Sequence, residues 1–373
     1  MPVAPRPEQS LVGNRGERCQ IIIFLFFMSI PEQYQINDVR TTKDFANKTF
    51  SGYLKIDVFK GLFKAIDNYK VEEACNWTTE LIVSCQTDKL YERFIIYACI
   101  HINVGNRLLP DRIYKRYKMY IDSNVDNIAA INNQIIRTHL IELTVILCLS
   151  NKSKVMAFPK ITEIDYTNEI LSSKLKANDK NIINASLKPC DAEELRVVIN
   201  ELWYSVRIKN MSMVLYWLKW MAVYEKQLNK NKKQLMCATR NIPGVPVKYH
   251  TNYIWIIWDI ILRESKTHIN ATQIGNLYNI YVANYKKSAP IIIIVNAIQY
   301  FTAGTYNSTR PLCPNYNILI QATAKVNFIF QKKKSYEVRK LKNVEFKKKM
   351  DGKGVADAKQ DAVFDIDNFI MNR

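Results

Sequence analysis

Apolar residues recur at helical spacing along most of the chain. "DVFKGLFKAIDNYK" places Val58, Leu62, Ala65 and Ile66 on one face, and "VEEACNWTTELIVS" places Val71, Ala74, Cys75, Thr78, Leu81 and Ile82 on another. Joined at Asn68 and Tyr69, the pair predicts an αα-hairpin that opens near Asp57, a candidate N-cap. Leu90, Phe94, Ile95, Ala98 and Cys99 continue the pattern, and Pro110 suits the first turn of the next helix. From Leu140 to Leu149 the chain is apolar nearly all round, which predicts a buried helix. Asp191 with Glu194 three residues on resembles a capping box, and Met213, Trp217, Trp220 and Met221 follow at helical spacing.

Nine of the ten residues from Tyr253 to Leu262 are apolar. Such a run is too short to span a bilayer, which needs ~20 residues. Asn252, Asp259 and Arg263 fall on one narrow stripe of it, so the spacing predicts a core helix with an i,i+4 ion pair between Asp259 and Arg263. The run from Ile291 to Val295 fits a helix or a strand equally, because periodicity does not separate the two over so few residues.

These patterns predict an all-α chain, built as two lobes of packed helical hairpins or as a short α-superhelix. Residues 1–27 read as a non-structural extension, with a signal or interfacial anchor as the alternative: Ile21 to Met28 is apolar, but no small-residue cleavage site follows it. Residues 28–56 are an irregular lead-in, 57–150 the first lobe and 191–305 the second. The polar, weakly periodic stretch 151–190, with Pro159 and Pro189, reads as a linker. Residues 306–373 read as a basic tail with an acidic end. Glycine and proline number only 10 and 12, which disfavours a turn-rich sandwich or barrel and a Gly-rich nucleotide fold.

Charge adds a partner class. The chain carries a formal net charge of +19, and Lys332 to Lys349 alone holds nine basic and two acidic residues. A field of that sign favours nucleic acid, an anionic membrane surface or an acidic protein. Inside the folded body, "DRIYKRYKMY" interleaves Arg112, Lys115, Arg116 and Lys118 with Tyr114, Tyr117 and Tyr120. Cations can neutralise phosphates there and tyrosines can stack on bases, although tyrosines turned to the core beside a solvated basic face would give the same pattern. Lys332, Lys333, Lys334, Lys347, Lys348 and Lys349 form the second candidate, a non-specific phosphate-binding arm or a nuclear-localisation patch, with a solvated tail as the competing reading.

Catalytic chemistry has little support. The chain lacks a phosphate-binding Gly-rich loop, a nucleophile elbow and a zinc-protease helix motif. Its eight cysteines form no C-x-x-C pair, which fits a reducing compartment and leaves no cofactor or metal site in view. His139 and Glu142, three apart on the buried helix, are the one spacing that would suit a metal ligand or a general base, although a histidine near a helix start that is simply hydrogen-bonded gives the same pattern.

The strings "YQINDVRTTKDFANKTFSGYLKIDVFKGLFKAIDNYK", "NNQIIRTHLIELTVILCLSNKS" and "IWIIWDIILRES" resemble an uncharacterised helical protein family of large nucleocytoplasmic DNA viruses. The resemblance runs from about Met28 to the region of Tyr306, supports Met28 as the start, and carries no catalytic residue with it. It implies a viral protein made in the cytoplasm or nucleus of an infected cell. The expected function is a non-enzymatic scaffold that contacts nucleic acid in replication, transcription or genome handling. The alternatives are a virion or assembly protein and an enzyme whose site forms only in three dimensions. No integral membrane insertion is expected.

Overall fold

The computed structural model describes residues 30–233, 235, 237–285, 291–303 and 310–338. Among the described residues the chain is all-α, with thirteen α-helices and no strand or sheet. They are α1 (Lys55–Asp67), α2 (Val71–Val83), α3 (Thr87–Tyr97), α4 (Leu109–Asp122), α5 (Gln134–Leu149), α6 (Asn168–Lys174), α7 (Glu193–Arg207), α8 (Met211–Lys230), α9 (Ile254–Ser265), α10 (Ala271–Ala283), α11 (Ile291–Thr302), α12 (Tyr316–Ala324) and α13 (Val326–Gln331).

Two hairpins, α1/α2 and α7/α8, close in the same way. Each first helix ends in a left-handed residue, Tyr69 at φ +59° and Lys209 at φ +58°, a position that usually favours glycine. The next amide then bonds back across the end of the helix, Lys70 N to Ala65 O and Asn210 N to Ser205 O, both at 2.9 Å. This six-to-one closure satisfies a terminal carbonyl and reverses the chain within three residues. α1 begins one turn before Asp57, with Leu54 at the cap, so Asp57 lies in the first turn instead.

α5 is the central helix. Asn133 caps it through bonds from the Ile135 and Ile136 amides, and nearly every residue from Ile136 to Cys148 is buried. α9 is buried in the same way: Trp255 and Trp258 are closed off and only the side carrying Asp259 and Arg263 reaches solvent. Ile291 to Val295 is helical, as the first turns of α11, and its residues point into the core on most sides.

The two expected lobes share one core. α10 packs on α4, and α11 packs on the π-helical segment Ala98–Ile102 that continues α3. Asn276 of α10 reaches Asp111 of α4 at 3.1 Å. The stretch 151–190 is strapped onto this body: Ser153 N and Val155 N bond to His101 O and Ile100 O at 2.8 Å, and Ile183 is buried. At Gly105 the strap comes so close that a Cβ would lie 2.4 Å from the Asn151 carbonyl oxygen. The chain after residue 310 is also partly folded, since α12 packs on α5 and α13 on both α2 and α5.

Buried polar hubs tie these pieces together, and they correct two expectations. Asp259 does not pair with Arg263; it accepts from Arg240 Nε at 2.7 Å, while Arg263 reaches Ser186 Oγ at 2.6 Å and Glu264 at 3.0 Å. Asp191 does not cap α7, whose N-cap is Ala192 without a side-chain bond. Its two oxygens instead take Arg240 Nη1 and Nη2 at 3.0 and 2.9 Å, together with the amides of Ala238 and Lys188. The cause is common to both. A guanidinium buried as deeply as Arg240 needs acceptors on every edge, and it draws in both nearby carboxylates.

Candidate nucleic-acid interface

On α4 the tyrosines and the cations part company. Tyr117 and Tyr120 are buried against Tyr91, their rings 5.7 and 4.9 Å from it, and Tyr114 is half-buried against the core. Their hydroxyls are occupied, Tyr117 donating to Asn284 Oδ1 at 2.9 Å and Tyr120 to Asp88 Oδ1 at 2.6 Å. Tyr117 and Tyr120 are therefore not free to stack on a base.

Its cations are neutralised from within. Arg112 and Arg116 share the Glu142 carboxylate at 3.3 and 2.6 Å, Lys115 pairs with Asp111 at 2.8 Å, and Lys118 with Asp122 at 2.7 Å. His139 joins the same cluster, because Arg116 Nη1 lies 2.8 Å from its Nε2. A guanidinium only donates, so Nε2 is bare and the ring proton sits on Nδ1. Burial, then Arg116 and Arg112, push the His139 imidazolium down to about 3. His139 and Glu142 thus converge on Arg116, each accepting from its guanidinium.

The second candidate is divided. Lys333 is buried and donates to Glu80 Oε2 at 2.8 Å, while Lys334 donates to the carbonyls of Glu32 and Gln35. Glu80, with no exposed surface, also takes the amide and hydroxyl of Ser51 at 2.7 Å. Burial opposes its charge, but Lys333 and Ser51 outweigh that and hold its pKa below the usual range. Lys332 is exposed. Lys347, Lys348 and Lys349 lie outside the described residues.

A third basic region emerges at the end of α8. Five lysines and one glutamate lie between Lys219 and Lys233. Lys226, Lys230, Lys232 and Lys233 are exposed, and among the described residues none has a carboxylate within ion-pair distance. Burial and the neighbouring charge of Lys226 both lower the Lys219 pKa, the mark of cations that repel one another. Beside them lies an aromatic cluster. Trp220 and Tyr224, one turn apart, stack with ring centres at 4.9 Å, and Tyr166 from the strap completes a triangle at 4.9 and 5.9 Å. Tyr166 OH bonds to Trp220 O and Trp220 Nε1 to Asp165 O, which fixes two of the three rings in place. The visible signal in the sequence is the i,i+4 aromatic pair followed by the lysine run.

One further titratable cluster surrounds the π-helical segment. Tyr97 OH donates to Asp67 at 2.5 Å, His101 stacks on Tyr97 at 4.5 Å, and burial pushes His101 down to about 4 and Lys152 down to about 8. π-helical turns often mark functional sites. Here the Lys152 ammonium directs its donors at the carbonyls of Leu147, Cys148 and Ser150, closing the C-terminus of α5 as a cap. A cavity of about 620 Å³ lies elsewhere, lined by Lys55, Asp88, Glu92, Tyr117, Asn127 and Asn284 among others. Its polar groups already bond one another: Asn127 holds Asp88 through both its amide atoms, and Asn284 holds Tyr117. Among the described residues no three His, Cys, Asp or Glu side chains gather as a metal set, and no helix is long and apolar enough to cross a membrane. Comparison of the chain with protein-family models, with curated proteins and with solved structures returns no match.

Proposed function

We propose that this chain is a non-enzymatic helical scaffold that contacts nucleic acid through its phosphates, using the C-terminal end of α8. The observation that carries the reading is the set Lys226, Lys230, Lys232 and Lys233, exposed and without carboxylate partners among the described residues. Unneutralised lysines release counterions from a phosphate backbone on binding, and that release drives affinity without sequence preference. The net charge of +19 favours the same partner, as does the repulsion between Lys219 and Lys226, which an anion would relieve. Replication, transcription or genome handling of a large DNA virus is the setting, in the cytoplasm or nucleus of the infected cell. That setting rests on the resemblance of the quoted strings.

The test is binding of the full chain to labelled 20-mer DNA across a salt series. The expected log–log slope is about −3 or steeper, since each neutralised phosphate contributes about −0.7 to −0.9. Charge reversal in K226E/K230E/K232E/K233E should remove most of that slope, and K115E/K118E should not. Undetectable binding at low salt, a slope near zero, or a quadruple variant that binds like the parent would each overturn the proposal.

A further inference from the structure

We infer that the nucleic acid taken at the end of α8 is single-stranded, and that Tyr224 is the side chain that stacks on an unpaired base. This rests on the nucleic-acid reading above and narrows it. Two features of the edge favour a single strand. The first is the aromatic triangle. Tyr166 and Tyr224 are half-buried, while Trp220 is closed off. The bonds from Tyr166 OH to Trp220 O and from Trp220 Nε1 to Asp165 O hold two of the rings before any ligand arrives, and Tyr224 packs on both. Stacking on a ring already fixed loses little rotamer entropy. Duplex DNA hides the faces of its bases, so an open tyrosine face recognises only an unpaired strand.

The second feature is where the lysines lie. At 100° per residue, Lys219, Lys226 and Lys230 share a stripe roughly a third of a turn or more around α8 from Tyr224. The phosphate track and the aromatic face are therefore adjacent flanks of one helix end. Along the axis Tyr224 and Lys230 are about 9 Å apart, the length of two to three stacked nucleotides. A flexible single strand can lay its phosphates on the lysines and turn a base over the edge onto Tyr224. A rigid duplex can engage the lysine flank alone. The exposed stripe also holds no arginine, the side chain that most often reads guanine, so no base preference is expected.

The experiment measures anisotropy of a labelled dT20 strand and of a 20-base-pair duplex against the full chain, Y224A, Y224L and Y224F. The parent should bind the single strand more tightly than the duplex at equal salt. Y224A and Y224L should each lose about 5- to 150-fold for the strand, with an unchanged salt slope, and Y224F should restore binding. Duplex affinity should stay the same in all four proteins. If both Y224A and Y224L bind the strand like the parent while the lysine reversal weakens binding, the stacking inference falls and the phosphate reading stands. If the lysine reversal leaves strand and duplex binding unchanged, both fall. Y224L keeps more of the buried apolar area than Y224A, so a fold defect confined to Y224A leaves the test intact.

Discussion

On α4, every cation of the basic-aromatic stretch has a carboxylate: Glu142 for Arg112 and Arg116, Asp111 for Lys115, Asp122 for Lys118. At the end of α8, Lys226, Lys230, Lys232 and Lys233 have none among the described residues. Both regions set basic residues near aromatic ones, and both sit on helices whose other face is core. The difference is supplied by neighbours. Asp111 and Asp122 are four residues from their lysines, whereas Glu142 comes from α5, which the fold lays against α4. Basic-aromatic alternation is therefore a poor guide to an open anion site until the acidic residues within one helical turn, and on the packed neighbour, have been placed.

The largest expected effect comes from turning α4 into a second open edge. Glu142→Gln removes the carboxylate shared by two arginines in a nearly buried setting, and it should cost about 3 kcal/mol of stability in urea titrations. The folded variant should also bind DNA with a log–log salt slope steeper by about one to two, because Arg112 and Arg116 are released toward solvent. A variant of unchanged stability would mean that Glu142 does not hold the cluster. A variant of unchanged slope would mean that partner carboxylates are not what separates the two helices.

Acid separates them by a different route. Burial, with Arg116 and Arg112, depresses His139 to about 3, and burial depresses His101 to about 4, both below the ~6.5 of an unfolded histidine. As pH falls from about 6 toward 4.5 the unfolded chain takes up protons at these two sites and the folded chain does not, so stability falls. The slope approaches about 2.7 kcal/mol per pH unit for two sites. Denaturant titrations at several pH values should show it, and His139→Gln should remove about half. Neither histidine lies at the end of α8, so the affinity of the molecules that remain folded should not follow the loss. A stability curve flat between pH 6 and 4.5 would contradict the buried, neutral state of both histidines.

How much of this was legible in the sequence depends on range. The all-α class, the hairpin at Asn68 and Tyr69, the burial of α5 and the closed α9 helix all follow from spacings of three, four and seven residues. The strand alternative for Ile291 to Val295 needed the fold, since a five-residue apolar run has no period of its own. Arg240 was invisible as a hub because its partners, Asp191 and Asp259, lie 49 and 19 residues away. With Arg240 out of view, a local i,i+4 pair with Arg263 was the natural expectation for Asp259, and a capping box for Asp191. Lys333 read as part of a solvated arm for the same reason, since Glu80 is 253 residues away. The α8 edge left a local trace, Trp220 and Tyr224 followed by lysines, but its lack of carboxylates is a property of the folded surface.

The smallest expected effect is the sharpest comparison of the two helices. Lys115 and Lys118 are exposed, and each holds its carboxylate across one turn of the same helix. Such pairs contribute little because water screens both partners and two long side chains lose freedom to meet. K115Q/K118Q should therefore leave the unfolding midpoint unresolved from the parent and the DNA salt slope unchanged. The reciprocal change builds the α4 arrangement on α8. Val223→Glu sets a carboxylate three residues before Lys226 and four after Lys219, on the lysine stripe itself. It should reduce the salt slope by about one while leaving the midpoint in place. Were Val223→Glu to bind DNA like the parent and K115Q/K118Q to bind it worse, the open anion site would belong to α4, and the carboxylates bound there would be competitors that a phosphate displaces.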